Sequence, residues 1–299
     1  MNQTDKKSAG KVVVSAIILS KPGIIVSVAF TGFAGMVVAE KAIPSFSIIL
    51  LGITSLLLSA AGSAILNNVL DKKIDKEMKR LNKRVEALEI VGDKNALIIS
   101  LVMIIISLII SLFFLNYLNT FLIITAILSY TILYTLFLKR SSPFGTILGG
   151  IPGALPVIIG YTAVSSYIGL DGLILFVFMM LWQPPHFWAL AQKYRADYAK
   201  AKIPVMPVVF GTEYTNILIL IYTFSLLPLT LILWLIGLNS LYFAFFAVAA
   251  GLYFDYVVVK SVYNNSGYGR AFAISILYML AIMLFIIIDI SINSFIPVE

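Results

Sequence analysis

Nine apolar runs divide this sequence, each close to the roughly 20 residues that an α-helix needs to cross a bilayer. They fall at residues 12–39, 46–68, 95–115, 119–138, 144–166, 172–192, 215–237, 241–259 and 271–291. With 61% hydrophobic and 12% charged residues, a 299-residue chain has more apolar surface than one soluble core can bury. The sequence therefore predicts an all-α, polytopic membrane protein with nine transmembrane helices and one domain, residues 1–299.

The basic residues are distributed unevenly between the two sides of these runs. All but one of the 21 Lys and Arg residues fall on the same side when the runs alternate, and Lys41 is the exception. Cytoplasmic loops retain Lys and Arg. We therefore predict a cell-membrane protein with its N-terminus in the cytoplasm, its C-terminus outside, and the loops 69–94 and 193–213 on the cytoplasmic face. The net charge of +7 follows from this asymmetry and does not require nucleic acid as a partner.

A polar pattern follows the second apolar run directly. Asn67, Asp71 and Asp75 stand four residues apart, so on a helix they share one face; we call these three residues the oxygen ladder. Mg²⁺ prefers oxygen ligands, and proteins usually bind it through one or two carboxylates plus substrate phosphates. The ladder therefore predicts a site for Mg²⁺ and a diphosphate ester. The alternative is a pair of solvated acids at a helix end, balanced by neighbouring lysines.

Two arginines follow the oxygen ladder in the same loop. Arg80 and Arg84 are suited to hold phosphate oxygens that a metal ion leaves uncovered. The loop 69–94 is also long for a simple connection, and long loops tend to be functional. We expect both arginines to face the diphosphate.

Further candidates lie at the same side of the membrane. Lys21 precedes Pro22, which should break the first apolar run, so residues 12–20 are expected to lie at the interface. Tyr134 and Lys139 end the fourth run. Each has two explanations. One is a role in phosphate binding; the other is anchoring at the membrane interface, where tyrosines are common and lysine side chains snorkel.

The sixth run ends in an unusual block around the only histidine of the chain, His186, in Trp182-Gln-Pro-Pro-His186-Phe-Trp. An ionisable residue inside the membrane is a functional candidate, and imidazole can bind haem iron or accept a proton. The alternative is a hydrogen-bonded packing residue. One histidine without any cysteine excludes a His or Cys zinc site. Arg195 and Asp197 follow in the loop 193–213.

Together these stretches resemble the UbiA-type intramembrane prenyltransferases, and within them the branch that modifies haem. The oxygen ladder with Arg80 and Arg84 is similar to the family's first aspartate-rich motif and its basic tail. The stretches similar to the haem branch are Tyr134-Thr-Leu-Phe-Leu-Lys139-Arg140, Gly149-Gly150 to Pro156, the His186 block, and Asp197-Tyr to Ile203-Pro204-Val-Met-Pro207. The resemblance runs almost from end to end.

The resemblance implies a fold, a reaction and residue roles. Nine helices would bundle around a central apolar cavity open to the cytoplasmic side, where farnesyl diphosphate alkylates a vinyl group of haem b. Asn67, Asp71, Asp75 and Asp197 would hold Mg²⁺, with Lys139 and Tyr134 also catalytic; Lys21, Arg80, Arg84, Lys139 and Arg195 would bind diphosphate; and His186 would contact haem. The product would enter the assembly pathway of a haem-copper oxidase.

The sequence departs from the family pattern at two places and leaves two other functions open. Arg84 is followed by Val85 where the basic tail usually has proline, and Asp197 stands alone where the wider superfamily often has two aspartates. Another prenyltransferase, acting on a quinone precursor or an archaeal lipid glycerol, would share the ladder. A transporter would carry polar residues through the bilayer midplane, and the third, fourth, seventh and ninth runs have almost none.

Overall fold

The computed structural model describes residues 9–295, which form helices joined by short connections. Within that range nine helices have the length and composition to cross a bilayer. We number them α1 (Pro22–Glu40), α2 (Phe46–Leu70), α3 (Asp93–Phe114), α4 (Tyr117–Ser141), α5 (Gly145–Val164), α6 (Leu170–Lys193), α7 (Gly211–Leu235), α8 (Leu241–Tyr263) and α9 (Tyr268–Phe295). The prediction of an all-α protein with nine membrane helices is confirmed. The first eight and last four residues lie outside the described part, and the predicted sides of the termini stay predictions.

Short helices fill the connections at one end of the bundle, where α2 and α6 end. They are the N-terminal helix Ala9–Leu19, the turn Lys72–Asp75, the 3₁₀ turn Lys79–Leu81, the helix Asn82–Val91, the helix Arg195–Lys200 and the turn Met206–Val209. We call this end of the molecule the ladder end. Both loops that the sequence marks as functional are therefore folded.

Apolar side chains on the outer surface match a lipid environment. On α3, Leu101, Ile105 and Ile109 are each about half exposed and stand four residues apart, so they form one ridge. Inside the bundle, α1, α5, α6 and α9 share a core that includes Val38, Ile158, Phe178 and Met283. A bundle with an apolar interior and an apolar exterior is a multi-pass membrane protein.

The first apolar run is two helices, as its proline predicts. Lys21 has a left-handed backbone with φ of 59°, and Pro22 opens α1. The N-terminal helix before this break buries Leu19 against Leu88, and the Leu19 carbonyl accepts a hydrogen bond of 2.7 Å from Asn68 Nδ2. The break therefore ties the N-terminal helix to the loop that follows α2; its location at the membrane interface stays a prediction.

The glycines of the fifth run serve two structural roles. Helix α5 is interrupted at Gly149 and Gly150, and Gln183 Nε2 of α6 donates to the Gly150 carbonyl at 2.7 Å. Further along α5, a Cβ added to Gly160 would overlap the backbone oxygen of Gly32 on α1, so the two helices cross closely. A broken helix and a close helix crossing therefore occur in the same span.

Substitution of Gly160 by alanine should destabilise the protein by about 1–3 kcal/mol, because backbone cannot move aside for the added methyl group. Gly23→Ala is the matched control, since a Cβ there has no neighbour within 4 Å. Thermal unfolding in detergent measures the difference. Equal unfolding temperatures for the two variants would contradict the close crossing of α1 and α5.

Candidate active site

The oxygen ladder lies where α2 ends. Helical hydrogen bonds continue past Leu70, with Asp71 N to Asn67 O at 2.9 Å and Asp75 N to Asp71 O at 2.8 Å. The three side chains therefore keep the helical register expected from their spacing and share one face. All three are buried at the ladder end.

Asp71 is held by three donors. Its Oδ2 accepts from Lys139 Nζ at 2.5 Å and from Asn67 Nδ2 at 2.9 Å, while Oδ1 accepts from Arg140 at 3.2 Å. The carboxylate has no solvent exposure. Since a buried carboxylate without a counter-charge is costly, the two cations at the end of α4 are what allow this charge to be buried.

Asp75 differs from Asp71 because its carboxylate forms no hydrogen bond or ion pair with any described residue, although the residue is only 5% exposed. Burial raises the pKa of Asp75, and the positive charges of Lys139, Lys21 and Arg84 oppose that rise. A buried carboxylate surrounded by cations but bonded to none has free lone pairs. Those lone pairs fit a metal ligand.

Asn67 is fixed at both ends of its amide. Its Oδ1 accepts from Lys21 Nζ at 2.5 Å, and its Nδ2 donates to Thr135 Oγ1 at 3.0 Å as well as to Asp71. Lys21 also donates to the Tyr130 hydroxyl at 3.1 Å. Burial, helped by the positive charges of Arg84 and Lys139, lowers the pKa of Lys21 to about 7.

A π-helix places the residues of α4 against the ladder. Residues Ser129–Leu138 have this wider winding, and the Thr135 hydroxyl donates to the Tyr130 carbonyl five residues back at 2.7 Å. Long π-helical segments are rare and occur mostly at functional sites. The segment brings Tyr130 and Thr135 into contact with Lys21 and Asn67, two contacts that the sequence analysis did not predict.

Tyr134 also lies in the π-helix. Its ring stacks on that of Tyr130 with centroids 6.2 Å apart, and a Cβ on Gly149 would meet the Tyr134 ring. The break at Gly149 therefore leaves room for an aromatic side chain next to the ladder. The hydroxyl of Tyr134 forms no hydrogen bond with a described residue.

The two arginines of the loop 69–94 stand on the same side as Asp75. Arg84 is partly buried, forms no hydrogen bond or ion pair with the described residues, and has its pKa lowered chiefly by burial. Arg80 donates to the Tyr198 hydroxyl at 2.9 Å and lies over the rings of Tyr198 and Tyr194. Arg84 is thus a free cation beside the ladder, whereas Arg80 is clamped by two tyrosines.

Two predicted site residues stand apart from this cluster. No three Asp, Glu, His or Cys side chains in the described part come close enough together to hold a metal, so Asp197 is not grouped with Asp71 and Asp75. Arg195 is exposed and donates to Thr212 Oγ1 at 3.2 Å. The structure does not bring either residue to the ladder, and their roles stay predictions.

His186 is held by residues of its own helix, α6, and of α9. Its ring is stacked between Trp182 and Phe272, with centroids 4.5 and 4.4 Å away, and Nδ1 lies 2.7 Å from Ser275 Oγ. The Ser275 hydroxyl donates its one proton to the Phe272 carbonyl, so Nδ1 is the donor to Ser275. Nε2 therefore keeps a free lone pair, which is the form that binds a metal or accepts a proton.

The donor set fits Mg²⁺. The available oxygen donors are two carboxylates and an amide, one carboxylate is unpaired, and the nearby cations favour an anionic partner such as diphosphate. Softer metals are usually bound by thiolates or several histidines, and the sequence has no cysteine and one histidine.

The model of the UbiA prenyltransferase family matches residues 28–280, which cover the ladder, the π-helix and His186. The chain belongs to the UbiA prenyltransferase family. The resemblance that the motifs indicate is thereby confirmed. A member of this family is an intramembrane enzyme, so the transporter alternative is not supported.

Curated members of the UbiA family align over most of the chain. A protoheme IX farnesyltransferase from Geotalea uraniireducens (strain Rf4) is 45% identical, over 85% of this chain and 98% of its own length. The protein of the same name from Aquifex aeolicus (strain VF5) is 38% identical, over 96% of this chain and 99% of its own. Both alignments span the region from the ladder to His186 and cover nearly the whole length of each relative.

Solved structures share the UbiA fold at low sequence identity. A digeranylgeranylglyceryl phosphate synthase superposes with a TM-score of 0.76 at 16% identity, covering 93% of this chain and 98% of its own. A UbiA homologue from Archaeoglobus fulgidus bound to GPP and Mg²⁺ superposes with a TM-score of 0.64 at 14% identity, covering 90% and 99%. These likenesses establish the fold.

Proposed function

We propose that this protein transfers a farnesyl group from farnesyl diphosphate to a vinyl group of haem b. The allylic C–O bond of the donor breaks, the terminal vinyl carbon bonds to the farnesyl carbon, and water supplies a hydroxyl group to the other vinyl carbon and gives up its remaining proton to the diphosphate; haem O and protonated diphosphate result. The observation that carries the proposal is the unpaired, buried Asp75 beside Asp71 and three cations, in a chain with extensive identity to protoheme IX farnesyltransferases.

The oxygen ladder binds the donor through Mg²⁺ in this proposal. Asn67, Asp71 and Asp75 would hold the ion, which when bound stabilises the negative charge that develops on the departing diphosphate. The Archaeoglobus fulgidus homologue solved with GPP and Mg²⁺ is consistent with this assignment. Asp197 would join as a fourth ligand only if the helix Arg195–Lys200 moved toward the ladder.

The cations at the ladder neutralise the leaving group. Arg84 has no partner among the described residues, and Lys139 would exchange its contact with Asp71 for phosphate oxygen once the metal charge balances that carboxylate. Lys21 and Arg80 add to the positive charge around the ladder. Fixed charges of this kind, in a site that excludes water, stabilise a transition state without having to reorganise.

The bundle interior would hold the farnesyl chain. We propose that it forms a central apolar cavity, opening at the ladder end, in which the cation left after diphosphate departure meets no water. The stacked rings of Tyr130 and Tyr134 border the ladder. Tyr134 would contact the reacting allylic carbon from that side.

His186 is the candidate contact to the acceptor. The Nε2 lone pair, left free by the hydrogen bond of Nδ1 to Ser275, can bind haem iron or take up a proton near the porphyrin. We place the ladder end in the cytoplasm because it carries nearly all Lys and Arg residues. The product would then supply the assembly of a haem-copper oxidase.

Product analysis tests this assignment. Membranes containing the protein are incubated with farnesyl diphosphate, Mg²⁺ and either haem b or a phenolic acid, and the extracts are analysed by mass spectrometry. With the wild type we expect haem that has gained the mass of farnesol and a phenolic acid that is unchanged. With Asp71→Asn we expect both acceptors to be unchanged. A prenylated phenol beside unchanged haem would contradict haem b as the acceptor and favour a quinone precursor.

A further inference from the structure

A second cavity opens at the ladder end and is not part of the oxygen ladder. It has a volume of about 710 Å³ and lies between the end of α6, the start of α7 and the connection from α8 to α9. Its lining includes Gln192, Lys193, Arg195, Asn265, Tyr268 and Gly269. No residue of the ladder takes part in it.

The floor of the cavity is a closed hydrogen-bond network. The Asn216 carbonyl Oδ1 accepts from Gln192 at 3.2 Å and from the Tyr268 hydroxyl at 2.9 Å, and Asn216 Nδ2 donates to Asn265 Oδ1 at 2.9 Å. Gln192, Asn216 and Tyr268 are buried. A buried network whose members satisfy one another gives the cavity a fixed polar floor.

The rim of the cavity carries cations without acidic partners. Lys193 and Arg195 form no ion pair with any described residue, and Glu213 is the only acid in the lining. Two further cations, Lys260 and Arg270, line a smaller adjoining cavity. The surplus of positive charge over a polar floor fits an anionic ligand.

One tyrosine ring separates this cavity from the diphosphate site. Lys193 Nζ lies 5.1 Å from the centroid of the Tyr194 ring, and the Arg80 guanidinium lies 5.3 Å from the same centroid. The cavity is therefore next to the proposed donor site without sharing its residues.

The same cavity is aligned with His186 along two neighbouring helices. Lys193 follows His186 by seven residues on α6, which is two turns on one face and about 10 Å along the axis. Helix α9 runs beside this stretch of α6, because Gly269 lies against Lys193 and both Phe272 and Ser275 contact His186. The cations of the cavity and His186 therefore lie along the same pair of helices, about two turns apart.

We propose that this cavity binds the two propionate carboxylates of the acceptor porphyrin, with Lys193 and Arg195 as their cationic partners. The proposal rests on the proposed function, since it concerns the acceptor of that reaction. It orients the porphyrin with its carboxylates at the ladder end and its iron two helical turns deeper, at His186.

The test compares haem b with its dimethyl ester, which keeps the ring, the iron and the vinyl groups but lacks the two charges. Initial rates are measured for the wild type and for Lys193→Ala/Arg195→Ala, with each substrate varied in turn. Lys73→Ala/Lys83→Ala is the matched control, because both lysines are exposed and unpaired in the described part of the ladder end. Inhibition of the reaction by phosphatidylglycerol added to the detergent solution is measured in parallel.

We expect the wild type to favour haem b over the ester, and the Lys193/Arg195 variant to lose that preference. Its KM for haem b should rise roughly tenfold to a hundredfold, as loss of charge-assisted hydrogen bonds predicts, with KM for farnesyl diphosphate unchanged. The control should behave as the wild type.

Three results would overturn the proposal. If the Lys193/Arg195 variant keeps the KM for haem b and the preference of the wild type, the carboxylates bind elsewhere. Haem turnover by the wild type would in that case leave the proposed function intact. Loss of the inhibition by phosphatidylglycerol in the Lys193/Arg195 variant, with an unchanged KM for haem, would assign the cavity to anionic lipid. No haem turnover by the wild type would refute the proposed function and this inference together.

Discussion

Asp75→Asn should lower kcat for haem farnesylation by roughly a thousandfold while leaving the protein folded. The substitution keeps the shape of the side chain but removes a charged ligand where charge develops on the leaving group, and losses of this kind cost a hundredfold to a thousandfold or more. The fold should survive because the Asp75 carboxylate forms no hydrogen bond or ion pair with the described residues. Diphosphate release and thermal unfolding in detergent measure the two effects.

Asp255→Asn is the matched control for this experiment. Asp255 is a carboxylate on α8 that also forms no hydrogen bond or ion pair with the described residues, and it takes no part in the cluster around the ladder. Its removal should leave turnover unchanged. A rate for Asp75→Asn within tenfold of the wild type would remove Asp75 from the mechanism.

Lys139→Met should reduce both turnover and stability. Turnover should fall a hundredfold or more because a diphosphate partner is lost. Stability should fall by up to about 3 kcal/mol, because Asp71 is fully buried and its bond to Lys139 is 2.5 Å long. Arg140→Met is the control, since that side chain is 38% exposed and its contact with Asp71 is longer, at 3.2 Å; it should cost less than about 1 kcal/mol.

The double variant Asp71→Asn/Lys139→Met separates the two effects of Lys139. Removal of both charges leaves no buried carboxylate without its main partner, so the unfolding temperature should recover relative to Lys139→Met. Turnover should stay lost, because a metal ligand and a phosphate partner are both missing. Recovery of turnover together with stability would show that Lys139 is only a structural counter-ion.

Much of the fold was predictable because bilayer crossing is a strong constraint. Hydropathy alone placed nine spans close to their observed bounds, and Pro22 marked the break before α1. The ladder was predictable because four-residue spacing puts side chains on one face of any helix. Local patterns of this kind require no knowledge of the other helices.

Contacts between distant segments were not predictable in the same way. The π-helix at residues 129–138 has no signal in composition, and only its hydrogen bonds show that Tyr130 and Thr135 meet Lys21 and Asn67. Which of the two sites a basic residue joins also depends on tertiary structure. Arg84 and Arg195 look alike in the sequence, yet one lies beside Asp75 and the other lines the second cavity.

The central claim is that the oxygen ladder binds a diphosphate through a divalent ion, and calorimetric titration with farnesyl thiodiphosphate, an analogue that ionises slowly, tests it most directly. Purified wild type and Asp71→Asn are titrated in detergent with Mg²⁺ and with EDTA. The account predicts tight binding to the wild type only when Mg²⁺ is present, and weak binding to Asp71→Asn in both conditions. Equal affinities with Mg²⁺ and with EDTA, shared by both proteins, would contradict it.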